Sequence, residues 1–186
     1  VKTINLEKQF STRFIHTGSV EEKMERAVRD GANVINIHHS RSLNPFINYP
    51  YYDESVDDFR EYIKEAHQKN LKVKPYYTTR ELTVNLPELW AFRSLGDEII
   101  FPGPGNEVRT ILHKNGPDPG LQENRKQNYI PAWVARLKEG KYAVKTDLSL
   151  VTTPDSRLNN FYLEGLDWMV KSLDIDGIYI DCSALE

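Results

Sequence analysis

Residues 174–182 read Asp174-Ile-Asp-Gly-Ile-Tyr-Ile-Asp-Cys182, a short apolar run that starts from a tight Asp-Gly turn and ends in a carboxylate. Just before it, Leu158, Tyr162, Leu166, Met169 and Leu173 return at helical spacing and predict an amphipathic helix over Arg157 to Leu173. Helix, turn and strand in that order put Asp181 at the C-terminal end of a strand. That is the end at which (β/α) barrels assemble their active sites.

Working upstream, the same rhythm of short β-type run and amphipathic helix recurs, the sequence form of βαβ units on a parallel sheet. Arg13 to His16 is predicted as the first strand. Ser19 then opens a helix through a Ser-x-x-Glu box with Glu22, Val20, Met24, Ala27 and Val28 form its apolar stripe, and Gly31 ends it. Asn33 to His38 is the second strand. After a Pro- and Tyr-rich loop from Asn44 to Asp53, Ser55 is expected to cap a second helix with Asp58 in the capping-box place. Val56, Phe59, Ile63 and Ala66 share one of its faces, and Asn70 stops it. Leu71 to Tyr77 is the third strand. Pro87 then stands in the first turn of a helix carrying Leu89, Trp90 and Phe92 before Gly96.

From 97 to 154 the rhythm breaks, with Phe101-Pro-Gly-Pro-Gly105, Asn115-Gly-Pro-Asp-Pro-Gly120 and a short helix expected around Ala132 to Leu137. This reads as an inserted loop region within one barrel domain spanning 1–186. It is far longer than the roughly two to six residues of an ordinary α/β connection, and loops of that size are usually functional.

Strand alternation assigns faces, because successive side chains point oppositely. Ile35, Ile37, Val73, Pro75, Ile178 and Ile180 go towards the helices, leaving Asn36, His38, Lys74, Tyr76, Tyr179 and Asp181 on a common inner face. The strand ends carry His38, His39, Thr78, Thr79, Arg80, Glu81 and Asp181. Adjacent histidines point to opposite faces, so His38 and His39 cannot share a metal, and no HxH or HExxH spacing occurs. His38 suits a hydrogen bond to a ligand hydroxyl, with His39 under a helix.

Composition narrows the classes. Among 186 residues, 24 Lys+Arg are interspersed with 27 Asp+Glu for a net charge of −3, which leaves no basic patch for nucleic acid. No run approaches the roughly 18 apolar residues of a membrane span, and Val1 opens no signal-type segment. One Cys excludes an intramolecular disulfide and a CxxC metal site. The absence of GxGxxG, phosphate-loop and GxSxG motifs argues against a nucleotide cofactor and a serine nucleophile, so no cofactor and no metal is expected. The 10 Tyr and 3 Trp suit a site that stacks on flat apolar ligand faces such as those of sugars.

Glu61 to Glu81 (EYIKEAHQKNLKVKPYYTTRE) and Asn159 to Asp181 (NNFYLEGLDWMVKSLDIDGIYID), with Asn48-Tyr-Pro50 and Pro87 to Gly96, resemble Bacteroidetes-type glycoside hydrolase domains of the family 123-like group. The architecture also resembles the α-amylase superfamily, in which a long insertion follows the third strand and the fourth ends in the nucleophilic Asp. The resemblance implies a TIM-type (β/α)8 barrel, of which this chain is expected to hold the N-terminal half. It also implies a bacterial periplasmic or secreted enzyme of polysaccharide metabolism and, if family 123 chemistry holds, substrate-assisted cleavage of an N-acetylhexosamine by an acid pair. Cys182 departs from that pattern, standing where a second Asp is expected.

The resulting expectation is a glycoside hydrolase with Asp181 and Glu81 as catalytic carboxylates, and Asp147 as another possible partner acid. His38, His39, Tyr49, Tyr76 and Arg80 are the candidate substrate-binding residues, and Tyr49, Tyr51 and Tyr52 the stacking wall. The partners are a carbohydrate substrate and the remainder of the parent chain, which closes the barrel and carries the general acid of an amylase-like plan. A catalytically silent carbohydrate-binding barrel and a metal-dependent hydrolase using His16 and His38 are the rival readings.

Overall fold

The computed structural model describes residues 14–17, 21–38, 43–44, 46–51, 53–101, 131–136 and 146–181. Four parallel strands make the main sheet: β1 (Phe14–Thr17), β2 (Val34–Ile37), β3 (Lys72–Thr78) and β7 (Tyr179–Asp181), in the order β1-β2-β3-β7. Helices α1 (Glu21–Arg29), α2 (Asp53–Gln68) and α4 (Leu158–Leu173) connect them.

The helix ends follow their local chemistry. Gly31, Asn70 and Asp174 take positive φ just beyond α1, α2 and α4, the left-handed stop that Gly, Asn and Asp tolerate best. Helix α2 begins at Asp53, two residues before the Ser55 cap expected from sequence, and Ser55 is buried. The Ser19 cap lies outside the described residues.

Apolar residues from the helix-facing side of the sheet, Ile35, Ile37, Val73 and Tyr77, meet Met24, Ala27, Phe59, Ile63, Ala66, Met169 and Leu173 in the first core. Fully burying a side chain such as Ile63 or Phe59 stabilises by about 1.5–3 kcal/mol. Val28, expected in the α1 stripe, is instead half exposed, because the narrow face of this short helix is filled by Met24 and Ala27. At Gly165 of α4, a Cβ would stand 2.9 Å from Pro50 Cγ, so the missing side chain lets the helix lie directly against the 46–51 segment.

The region after β3 is built differently from the expectation. Strands β4 (Glu81–Thr83), β5 (Pro131–Arg136) and β6 (Thr146–Val151) form an antiparallel sheet in the order β4-β6-β5. The helix expected at Ala132 to Leu137 is therefore a strand, paired with β6 from Pro131 opposite Leu150 to Arg136 opposite Thr146. Proline at the first residue of this outer strand costs no ladder bond that the sheet interior needs. Leu82, Leu148 and Leu150 turn one face of this sheet into a second core with Phe46, Tyr49, Leu86, Ile99, Ile100 and Leu158. Helix α3 (Leu89–Ser94) contributes Leu89 and Phe92 to it and leaves Trp90 exposed.

Burial pushes the phenols of Tyr62 and Tyr162 up from the ordinary 10.0 to about 12, with the Glu65 charge adding to the effect at Tyr62. Their hydroxyls are buried without a hydrogen-bond partner among the described residues. Raised phenol pKa values mean that the folded chain holds protons the unfolded chain has lost, so this contribution is complete below pH 10 and vanishes as pH rises through about 12. The melting temperature is expected to fall across that window, and Tyr62→Phe to flatten the fall while leaving stability at pH 7 equal or slightly higher. An alkaline melting profile identical in wild type and variant would contradict this.

Candidate functional site

The inner face of the parallel sheet is built in levels by strand register. Asn36 pairs with Lys74 across β2 and β3, and Tyr76 with Tyr179 across β3 and β7, with Thr78 opposite Asp181 at the top. The face assignment read from alternation is the one observed, since Ile35, Ile37 and Val73 lie in the helix-side core. Gly177 makes room low on this wall: a Cβ there would come within 3.3 Å of Lys74 Cδ. Burial lowers the Lys74 ammonium from its usual value.

Asp181 is half-buried at the C-terminal end of β7, and the Tyr76 hydroxyl donates to its Oδ2 at 3.0 Å. The Tyr76 ring is held between two others. The His38 ring lies 4.0 Å away, tilted by 33°, and the Tyr179 ring 5.4 Å away, edge-on. Asp181, Tyr76 and His38 are thus one contiguous wall, with His38 exposed at its rim.

The other sequence candidates fall elsewhere. Glu81 is buried on the polar face of the antiparallel sheet, where Arg80 Nε lies 3.2 Å from its Oε1 and Ser149 Oγ donates to Oε2 at 3.4 Å. Asp147 shares that face and is fully buried. It accepts the Ile47 backbone N–H at 3.1 Å, the Thr83 hydroxyl in a short bond and the Asn85 amide at 3.4 Å. Tyr49 departs from the expected stacking wall: it is buried in the second core, its ring parallel to Phe161, because Phe46, Ile47 and Asn48 anchor the loop inward. Tyr51 is half-buried against Phe161 and Trp168. Arg80 is half-buried and Thr79 exposed. His39, Tyr52, Cys182 and the His16 side chain lie outside the described residues.

Sequence reasoning missed Asn48. It sits at φ 55°, accepts the Thr78 N–H at 2.9 Å and donates its amide to the Thr78 carbonyl and hydroxyl and to the Glu81 carbonyl. One side chain thereby ties the loop after β2 to the top of β3 and the start of β4. Asparagine's tolerance of the left-handed region is a signal that could have found this role.

At the opposite, N-terminal end of the strands, Asp176 accepts the Val73 N–H at 2.9 Å and contacts His67 Nε2 at 2.8 Å. A groove of about 480 Å³ nearby is lined by Arg60, Lys64, His67 and Lys171. Arg60 is tied to Asp57 and the Ser172 carbonyl, and Lys171 to Asp167. Arg60, through the Ser172 carbonyl, and Lys171, in the last turn, complement the C-terminal end of α4. Among the described residues no cluster of three or more His, Cys, Asp or Glu is suited to hold a metal, and no helix is long and apolar enough to cross a membrane.

A parallel βα sheet whose inner wall converges on a carboxylate at a strand C-terminal end is part of a TIM-type (β/α)8 barrel. The chain belongs to the glycoside hydrolase 123 TIM-barrel domain family, whose model matches residues 5–186. In fold it is similar to the noncanonic maltogenic α-amylase AmyB from Thermotoga neapolitana, at 12% identity and a TM-score of 0.52, the match covering 95% of this chain and 40% of that one. It is also similar to a family GH13_31 enzyme, at 11% identity and a TM-score of 0.50, covering 92% of this chain and 36% of that one. The chain therefore spans about two fifths of the length of these structures. No curated protein matches the sequence.

Proposed function

We propose that the protein of which this chain is part hydrolyses glycosidic bonds, with Asp181 as a catalytic carboxylate. The observation that carries this reading is Asp181 itself, on the inner wall at a strand C-terminal end in a chain of a glycoside hydrolase family. His38 and Arg80, exposed and half-buried near the strand tops, are the sugar-contacting groups of this reading. The four-stranded sheet is completed by further strands of the parent chain beside β7, since four strands do not close a barrel.

Glycosidases of the usual kind use two carboxyl groups, roughly 5–5.5 Å apart for retention and about 6.5–9.5 Å for inversion. Burial and ion pairing make Glu81 a poor second acid, because a general acid has to reach the glycosidic oxygen and Glu81 is engaged by Arg80 and Ser149. Our reading gives the second acid to the rest of the parent barrel. The test is release of phenol from a panel of aryl glycosides and N-acetylhexosaminides by the full-length protein. Turnover of one sugar class supports the reading and names the substrate. Binding to a polysaccharide without hydrolysis of any member overturns it in favour of a silent carbohydrate-binding barrel.

A further inference from the structure

Tyr76, expected from sequence to touch the sugar, has its hydroxyl turned to Asp181 at 3.0 Å, and its residue surface is only 8% exposed. We infer that Tyr76 is a positioning residue, which aims and holds the Asp181 carboxylate for reaction instead of binding substrate. This rests on the reading of Asp181 as catalytic.

Three features of the wall support it. Asp181 is the last residue of the three-residue strand β7 and half-buried, with one carboxylate oxygen bonded by the Tyr76 hydroxyl. Catalytic groups misplaced by as little as an ångström lose much of their effect, so such a carboxylate needs an anchor. The phenol supplies one: Tyr76 and Tyr179 are register partners, and Asp181 follows two residues later on the same face, which brings it diagonally within reach of the Tyr76 hydroxyl.

The anchor is itself immobilised. His38 and Tyr179 flank the ring, and the Asn44 side chain donates to the Tyr76 carbonyl at 3.3 Å. A phenol packed in this way has already lost its rotational freedom, so its hydrogen bond costs little further entropy. It is also a neutral donor. It steadies one carboxylate oxygen without bringing a counter-ion that would blunt the group as nucleophile or base.

The experiment compares wild type, Tyr76→Phe and Asp181→Asn in the full-length protein on its best aryl glycoside. Phenylalanine keeps the ring between its neighbours and removes only the donor. Positioning predicts a roughly 10- to 100-fold fall in kcat with KM within about twofold of wild type, the signature of an interaction realised in the transition state. A rise in KM at constant kcat would assign Tyr76 to sugar contact, and unchanged kinetics would show that the bond has no role; either overturns the inference. If Asp181→Asn is inactive and Tyr76→Phe is normal, the inference alone fails. If Asp181→Asn keeps full activity, the functional reading fails with it. A crystal structure of Tyr76→Phe decides independently of turnover: the Asp181 carboxylate is expected in a changed or divided rotamer, and an unmoved carboxylate overturns the inference.

Discussion

Asp181→Asn is expected to lower kcat/KM of the full-length protein on its glycoside by at least about a hundredfold and by as much as about ten-thousandfold, the range of general acid–base contributions. That corresponds to about 2.7–5.5 kcal/mol of lost transition-state stabilisation. The substitution preserves shape, and an asparagine carbonyl can still accept from the Tyr76 hydroxyl, so the wall of His38, Tyr76 and Tyr179 should survive. The melting temperature is therefore expected to change little, which separates loss of chemistry from loss of fold. Activity retained within a few-fold would remove Asp181 from the reaction.

The main sheet was legible in sequence because its strands carry two signals at once. Ile35 and Ile37, Val73 and Tyr77 alternate with polar or half-polar partners, and each strand is bounded by a helix with an apolar stripe and a Gly, Asn or Asp stop. The inner face followed from the same alternation. The bond from the Tyr76 hydroxyl to Asp181 was not legible, since periodicity gives the direction of a side chain and says nothing of what meets its far end. The antiparallel sheet was not legible. Pro131-Ala-Trp-Val-Ala-Arg136 has no clear period, its partner β6 begins ten residues after it ends, and β4 is three residues long. Strand identity there comes from tertiary pairing, which overrides weak local preference. The surroundings of Glu81 and Asp147 were not legible for a related reason. Carboxylates normally mark the surface or a site, whereas these two are buried in a polar seam whose members come from distant parts of the chain.

That seam carries the largest expected loss of stability. Glu81 and Thr83 of β4 and Asp147 and Ser149 of β6 line one face of the antiparallel sheet, and Asp147 reaches from it to the Ile47 N–H, 100 residues away in sequence. Asp147→Ala deletes a fully buried acceptor and leaves the Ile47 amide and the Thr83 hydroxyl unsatisfied, at about 1–3 kcal/mol for each orphaned group. The sum, roughly 2–6 kcal/mol, is a large part of the roughly 5–15 kcal/mol that holds a domain folded, and at about 2–4 °C per kcal/mol it lowers the melting temperature by roughly 4–24 °C. Asp147→Asn keeps one acceptor oxygen but turns an NH2 towards a donor, so it is expected to recover no more than about half of that loss. Amide exchange localises the effect. The Ile47 N–H should lose protection in Asp147→Ala before the amides of β2 and β3 do, because the seam ties the 46–51 segment to the antiparallel sheet and the parallel sheet has its own core. A melting temperature within about 2 °C of wild type, or unchanged protection at Ile47, would show that the 46–51 segment is held by Asn48 and the Phe46 core alone.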